Sequence, residues 1–270
     1  MRTFLVLGAA VLAVCVACGG NGDDGGDNEP TTTLAGDDDQ PPVGDDDQPG
    51  DPAPTDQGPP PVLGPLVRIC PMGDSITAGT GERASYRRPL WQSLLALGVN
   101  VDFVGSMDDN NTGPPPFADY DWDNEGHGGY RADELADRLP EWILEYDVPD
   151  IVLLHIGTND LLQDDSTNGV LDDIDRLLGI IRGRNPNAII ILARIIGMTT
   201  QSFTDKASAL NTAMPAFVTS RGTTASPIYL VDQMTGFTPA TMTYDGTHPN
   251  ELGERHMADV WLAALRPLLD

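Results

Sequence analysis

The run DIVLLHIG at residues 150 to 157 is almost continuously apolar. A strand turns successive side chains to opposite faces, so such a run has to be covered on both. That is the situation of a parallel sheet between two layers of helices. The chain from Leu66 onward agrees, because short β-branched runs alternate with stretches of helical spacing. LVRICPM (66–72) reads as the first strand and NVDFVG (100–105) as the second, with a helix through RRPLWQSLLALG between them. DIVLLHIG is the third strand, AIIILARII (188–196) the fourth and PIYLVD (227–232) the fifth. Further helices are expected through YRADELADRLPEWILEY with a break near Pro140, at about 168–184, through SFTDKASALNTAMPAFVTSR, and through ELGERHMADVWLAAL. The expected fold is α/β, a three-layer αβα sandwich with a five-stranded parallel sheet. Ligands of such sheets sit beyond the carboxyl ends of the strands.

Residues 64–270 suffice for one such domain. The preceding segment, 19–63, is Asp, Gly, Pro, Thr and Gln with twelve acids and no base, and GDDDQPPV is nearly repeated as GDDDQPGD. It has too little to bury to offset its ordering entropy, and is expected to be a disordered acidic linker. A flexible chain of that length reaches about 35 Å. Before it, Arg2 and an apolar run from Phe4 to Val16 read as a secretory signal at 1–18. That run falls short of the about 20 residues a bilayer span needs. It ends in Val16-Ala17-Cys18-Gly19, which resembles a bacterial lipoprotein lipobox, although Cys15 stands where leucine is usual. Acylation of Cys18 would give a lipid anchor of two or more chains; an ordinary signal peptide cut nearby is the alternative. The expected location is secreted, anchored to a bacterial membrane by lipid alone, surface-exposed or periplasmic.

The domain itself carries 29 acids against 14 bases. Such a surface argues against nucleic acid and anionic headgroups as partners. Cys70 is its single cysteine, so it holds no internal disulfide, and Cys70 reads as a small buried hydrophobe. No His/Cys cluster has zinc-ligand spacing. The chemistry is therefore expected to need no metal, while the acidic loops are compatible with a structural calcium ion.

Each polar cluster falls just after an expected strand. Gly73-Asp74-Ser75 follows the first, and Asn124 to Gly129 closes a long glycine- and proline-rich loop after the second. GTND (157–160) follows the third, and DGTHPN (245–250) lies after the fifth. A serine becomes a useful nucleophile only beside a base. Of the four histidines, His155 lies inside an apolar strand and reads as a hydrogen-bonded core residue. His256 reads as a surface or edge residue of the last helix. His127 reads as a loop-structuring residue, with substrate contact as the alternative. His248 follows Asp245 by three positions in a turn, a spacing that brings a carboxylate to the far imidazole nitrogen. Oxyanion donors are expected at the Ser75 N–H, the Gly129 N–H and the Asn159 amide. Asp74 and Asp160 read as acids that tie down their turns. Phe117, Tyr120, Trp122 and Tyr130 offer aromatic faces for a sugar ring or pack the loop onto the domain. Arg87 and Arg88 are expected to pair with the acidic loop.

Gly73-Asp74-Ser75, Gly129, Gly157-x-Asn159-Asp160 and Asp245-x-x-His248 resemble the four blocks of the GDSL, or SGNH, hydrolases, and the resemblance spans residues 66–268. It implies the flavodoxin-like SGNH fold, catalytic Ser75, His248 and Asp245, and an oxyanion hole at Ser75, Gly129 and Asn159. SYRRPLWQSLLALGVNVDFVGS, NEGHGGYRADEL and PDIVLLHIGTND are similar to acetylxylan esterases of carbohydrate esterase family three. That similarity implies removal of acetyl groups from acetylated xylan without an organic cofactor; independently, their place in or beside the loop makes Trp122, Tyr130 and His127 candidate substrate contacts. A lysophospholipase or another acetylesterase is the alternative on this fold. A non-catalytic carbohydrate-binding domain is the alternative of another class.

Overall fold

The computed structural model describes residues 61–269 apart from Pro116. The signal segment with Cys18, and the acidic linker up to residue 60, lie outside the described residues.

The first strand, β1 (Val67–Gly73), runs into a one-turn helix, α1 (Ser75–Ala78), before the long helix α2 (Arg87–Ala96) begins. β2 (Val101–Phe103), β3 (Glu125–Gly126) and α3 (Ala132–Trp142) follow, then β4 (Ile151–His155), α4 (Thr158–Leu162) and α5 (Thr167–Arg184). β5 (Ile189–Arg194), α6 (Gln201–Arg221), β6 (Ile228–Asp232), α7 (Pro239–Met242) and α8 (Glu251–Leu269) complete the chain. The sheet order is β2-β1-β4-β5-β6 and every pair is parallel. The sheet has one strand more than expected, because β3 pairs with the end of β1 through Met72–Glu125 and Gly73–Gly126.

The continuous apolar strands are covered on both faces, as their composition requires. Cys70, Met72, Val152, Leu154, Ile190 and Leu192 face one core shared with α3, α5 and α6. Ile69, Ile151, Leu153, Ile189 and Ile191 face the other, shared with α2 and α8, where Trp261 is fully buried. Truncating one of these leucines or isoleucines to alanine is expected to cost about 2–5 kcal/mol.

Two local expectations change. α3 runs through Pro140 to Trp142; a proline this near the helix end forfeits little of the ladder. His155 is in the core, but among the described residues neither ring nitrogen has a hydrogen-bond partner. The strand order reverses direction between β1 and β4, which is where sheets of this type open a crevice at their carboxyl ends. Ser75 and the GTND turn lie beyond those two strands.

Candidate active site

Strand β1 ends because the chain must turn at once. A Cβ on Gly73 would lie 2.1 Å from the His155 carbonyl oxygen of β4, so no side chain fits there. Asp74 then caps α1, its Oδ1 accepting from Ile76 N at 2.9 Å. Burial pushes the Asp74 carboxyl up to about 6, against the opposing effect of that hydrogen bond. The turn presents Ser75 half-buried at the first helical position, where its N–H has no acceptor within the helix. With four residues α1 sums few peptide dipoles, so its contribution to a developing anion is local N–H groups rather than a macrodipole.

The loop beyond β6 supplies the base. His248 Nε2 lies 2.8 Å from Ser75 Oγ, and His248 Nδ1 lies 2.7 Å from Asp245 Oδ2. The other Asp245 oxygen accepts from the backbone N–H of His248 at 2.8 Å and of Thr247 at 3.0 Å. Partial burial alone would raise the Asp245 carboxyl, but these donors outweigh it and hold the group below its ordinary value. An ionised Asp245 favours the tautomer with the proton on Nδ1 and leaves Nε2 free to accept from the serine. Tyr244 stacks on the His248 ring at 5.8 Å, and the Arg83 guanidinium lies 5.0 Å over Tyr244.

Opposite the base, β3 carries the chain past the end of β1, with His127 N donating to Gly73 O at 2.9 Å. Gly129 follows with φ +82°, a conformation that favours glycine. Asn159, in α4, donates one amide hydrogen to Tyr130 O at 2.9 Å. This joins two of the expected oxyanion donors, and an Asn amide has a second hydrogen to offer. Asp160 bonds its own backbone N–H and also accepts from Ala132 N at 3.0 and 3.2 Å, capping α3 from across the site. Burial raises its carboxyl to about 6.

The candidate substrate contacts have packing roles. His127 is buried, with Nε2 2.5 Å from Glu125 Oε1 and its ring stacked 4.1 Å from Trp142, contacts that structure the loop. Tyr130 packs at the edge of the same pair. Trp122 is half-buried and donates Nε1 to Phe117 O within its own loop. Tyr120 is buried, whereas Phe117 is exposed.

A model of the GDSL-like Lipase/Acylhydrolase family matches residues 72–256. The chain belongs to that family. Among curated relatives, a multidomain esterase of Ruminococcus flavefaciens is 28% identical over 230 residues, which cover 75% of this chain. This chain spans 29% of that relative's length. Two solved structures, an acetyl esterase mutant with an acetate ion and a carbohydrate esterase of family 3 from Talaromyces cellulolyticus, each superpose with a TM-score of 0.66. Each is 31% identical, over 75% of this chain and 98% of the other. Residues 72–256 are thus a domain of this esterase and acylhydrolase family on the SGNH fold.

Sequence reading missed the parts of this domain that brace its long loop. Arg87 was expected in an ion pair, yet it is fully buried and spends its guanidinium on the carbonyls of Thr77, Ala78 and Trp122 and on Asn110 Oδ1. Burial lowers its pKa. Arg88 does pair with the acidic loop, holding Asp119 through two 2.7 Å bonds. Asn124 donates to Met107, Asp109 and Trp122 carbonyls and accepts from Gly126 N. The one available signal was position: Asn124 opens the glycine-rich block, and Tyr244 directly precedes Asp245. Among the described residues the carboxylates of Asp160, Asp165 and Asp173 converge, with one oxygen of each within 4.8 Å of the others.

Proposed function

We propose that the protein is a secreted, lipid-anchored serine esterase that removes O-acetyl groups from polysaccharide, acetylated xylan foremost. The observation that carries this reading is the chain of short contacts Ser75–His248–Asp245 at the opening between β1 and β4. Ser75 Oγ attacks the acetyl carbonyl carbon while its proton passes to His248 Nε2. The carbonyl π pair moves to oxygen, which the Ser75 and Gly129 N–H groups and the Asn159 amide receive. Collapse expels the sugar oxygen, which takes the proton from His248 and leaves acetyl-Ser75. Water repeats the sequence, and acetate departs. The similarity to an acetyl esterase and to a family 3 carbohydrate esterase supports the acyl group and the substrate class.

The route uses no organic cofactor or catalytic metal. A structural calcium ion would find hard oxygen ligands at Asp160, Asp165 and Asp173. Dialysis against a chelator should leave turnover intact; loss restored by zinc but not calcium would refute the serine route. Cys18→Ala should release the protein from the membranes of a bacterial host, and an unlipidated mature terminus elsewhere would refute the anchor alone.

The test of substrate is acetate release from acetylated xylan, beside specificity constants for acetyl, butyryl and octanoyl esters. Acetyl should be preferred steeply, each misplaced methylene costing about 1–3 kcal/mol. A preference rising with chain length, with no release from any polysaccharide, would favour the lysophospholipase reading.

A further inference from the structure

Beside the base, a groove of about 400 Å³ opens between the start of α2, the start of α8 and the long loop. Its size is that of pockets that take small ligands, about 300–1,000 Å³. It shares Arg83, Ser85 and Glu254 with the small recess that His248 and Tyr244 line, so it begins one side chain away from the base. In ester hydrolysis the leaving oxygen takes its proton from that base, so the alcohol part of the ester lies on the His248 side. Whatever is attached to the alcohol continues toward this groove.

The lining states what it would accept. Three arginines face the groove and each has a carboxylate: Arg88 on Asp119, Arg255 on Glu251 at 2.8 Å, and Arg83 3.7 Å from Glu254. With Glu82 also in the lining, four carboxylates meet three arginines, which leaves hydrogen-bonding capacity and no excess of positive charge. One aromatic, Phe117, stands 40% exposed in the wall. The Arg88 guanidinium lies 4.0 Å over its ring centroid and fixes it there, and Gln92 holds the same Asp119 at 2.8 Å. An aromatic face ringed by balanced donors and acceptors suits a polyhydroxylated, uncharged ring. It offers no apolar trough for a fatty chain and no unpaired cation for a uronate.

We infer that this groove is the subsite for the neutral glycan chain flanking the acetylated sugar, with Phe117 as its stacking platform. The inference rests on the deacetylase reading above and narrows it to polymers with an uncharged backbone. The experiment compares Phe117→Ala and Phe117→Trp with the parent enzyme on acetylated xylo-oligosaccharides, acetylated oligogalacturonates and p-nitrophenyl acetate. For Phe117→Ala, the ratio of specificity constants, xylo-oligosaccharide over p-nitrophenyl acetate, should fall about tenfold. Phe117→Trp should hold or raise it. The parent enzyme should prefer the neutral oligosaccharide to the uronate. A ratio unmoved in both variants, equal losses on both substrates, or a preference for the uronate would overturn the groove assignment. A parent enzyme that releases acetate from neither glycan overturns the deacetylase reading itself, which is a separate failure.

Discussion

On one side of Ser75 the base and its orienting acid come from a single four-residue stretch, Asp245 to His248, and both stay in reach of water, 41% and 30% exposed. On the other side, the segment leading to Gly129 is held by buried groups from distant parts of the chain. Glu125 accepts from Ser106 N at 3.1 Å and Ser106 Oγ at 2.8 Å, and meets His127; Arg87 and Asn124 stitch the long loop below. The proton-transfer half is built locally and tolerates solvent. The half expected to bind the oxyanion is built from long-range polar contacts that have to be satisfied, because a buried donor without a partner costs about 1–3 kcal/mol. Substitutions in the first half should therefore cost rate and spare the fold, while those in the second should cost both.

The largest expected effect is on rate alone. Ser75→Ala should lower kcat on p-nitrophenyl acetate by about 10⁴- to 10⁶-fold, with an unchanged thermal midpoint. Near-parental turnover by a folded variant would sink the assignment. Asp245→Asn should cost about 10²- to 10⁴-fold through the wrong imidazole tautomer, again without loss of stability. Hydrogen bonds hold the Asp245 carboxyl below its ordinary value, against the effect of its partial burial.

The opposite half should respond differently. Glu125→Leu strips the acceptor from Ser106 and His127, and should destabilise by about 3 kcal/mol or more in urea unfolding. The surviving folded fraction should also turn over more slowly, since Gly129 is displaced. Unchanged stability with unchanged kcat would abolish the distinction between the halves.

That distinction also explains what was legible in advance. β4 and β5 declare themselves by apolar runs, and Ser75, Asp245 and His248 by short motifs at strand ends. Such features are local in sequence, and so is the turn that assembles the acid and base. β3 is two residues long and exists only because β1 is beside it. Arg87 looks like any arginine at a helix start, and its burial follows from the carbonyls of Thr77, Ala78 and Trp122 and the Asn110 side chain, which three separate segments bring together. His127 lies in a glycine-rich loop, and its partner Glu125 becomes a buried acceptor only when the loop folds back on β1. Nothing periodic marks either residue.

His155 gives the smallest and most specific test, because it contrasts with His248 in a single property. It lies at the end of β4, fully buried, and burial lowers its pKa from 6.5 to about 4. The folded state therefore keeps it neutral where the unfolded chain would protonate it. The stability this represents is present above pH 6.5 and is lost as pH falls toward 4, about 3 kcal/mol in all. Asp74 and Asp160 act in the opposite sense. Their carboxyls rise from 3.8 to about 6, so they favour the folded state as pH falls from 6 toward 4 and mask part of the histidine's effect. Together the two carboxyls carry the larger shift, so wild-type stability alone does not reveal the histidine's loss. The difference between variants resolves it. Relative to wild type, His155→Leu should gain up to about 3 kcal/mol between pH 7.5 and pH 4.5, whatever its offset at neutral pH. Asp74→Asn should move the other way over the same interval. Urea midpoints at the two pH values measure both, and a His155→Leu difference that does not change with pH would mean that His155 is not held neutral in the core.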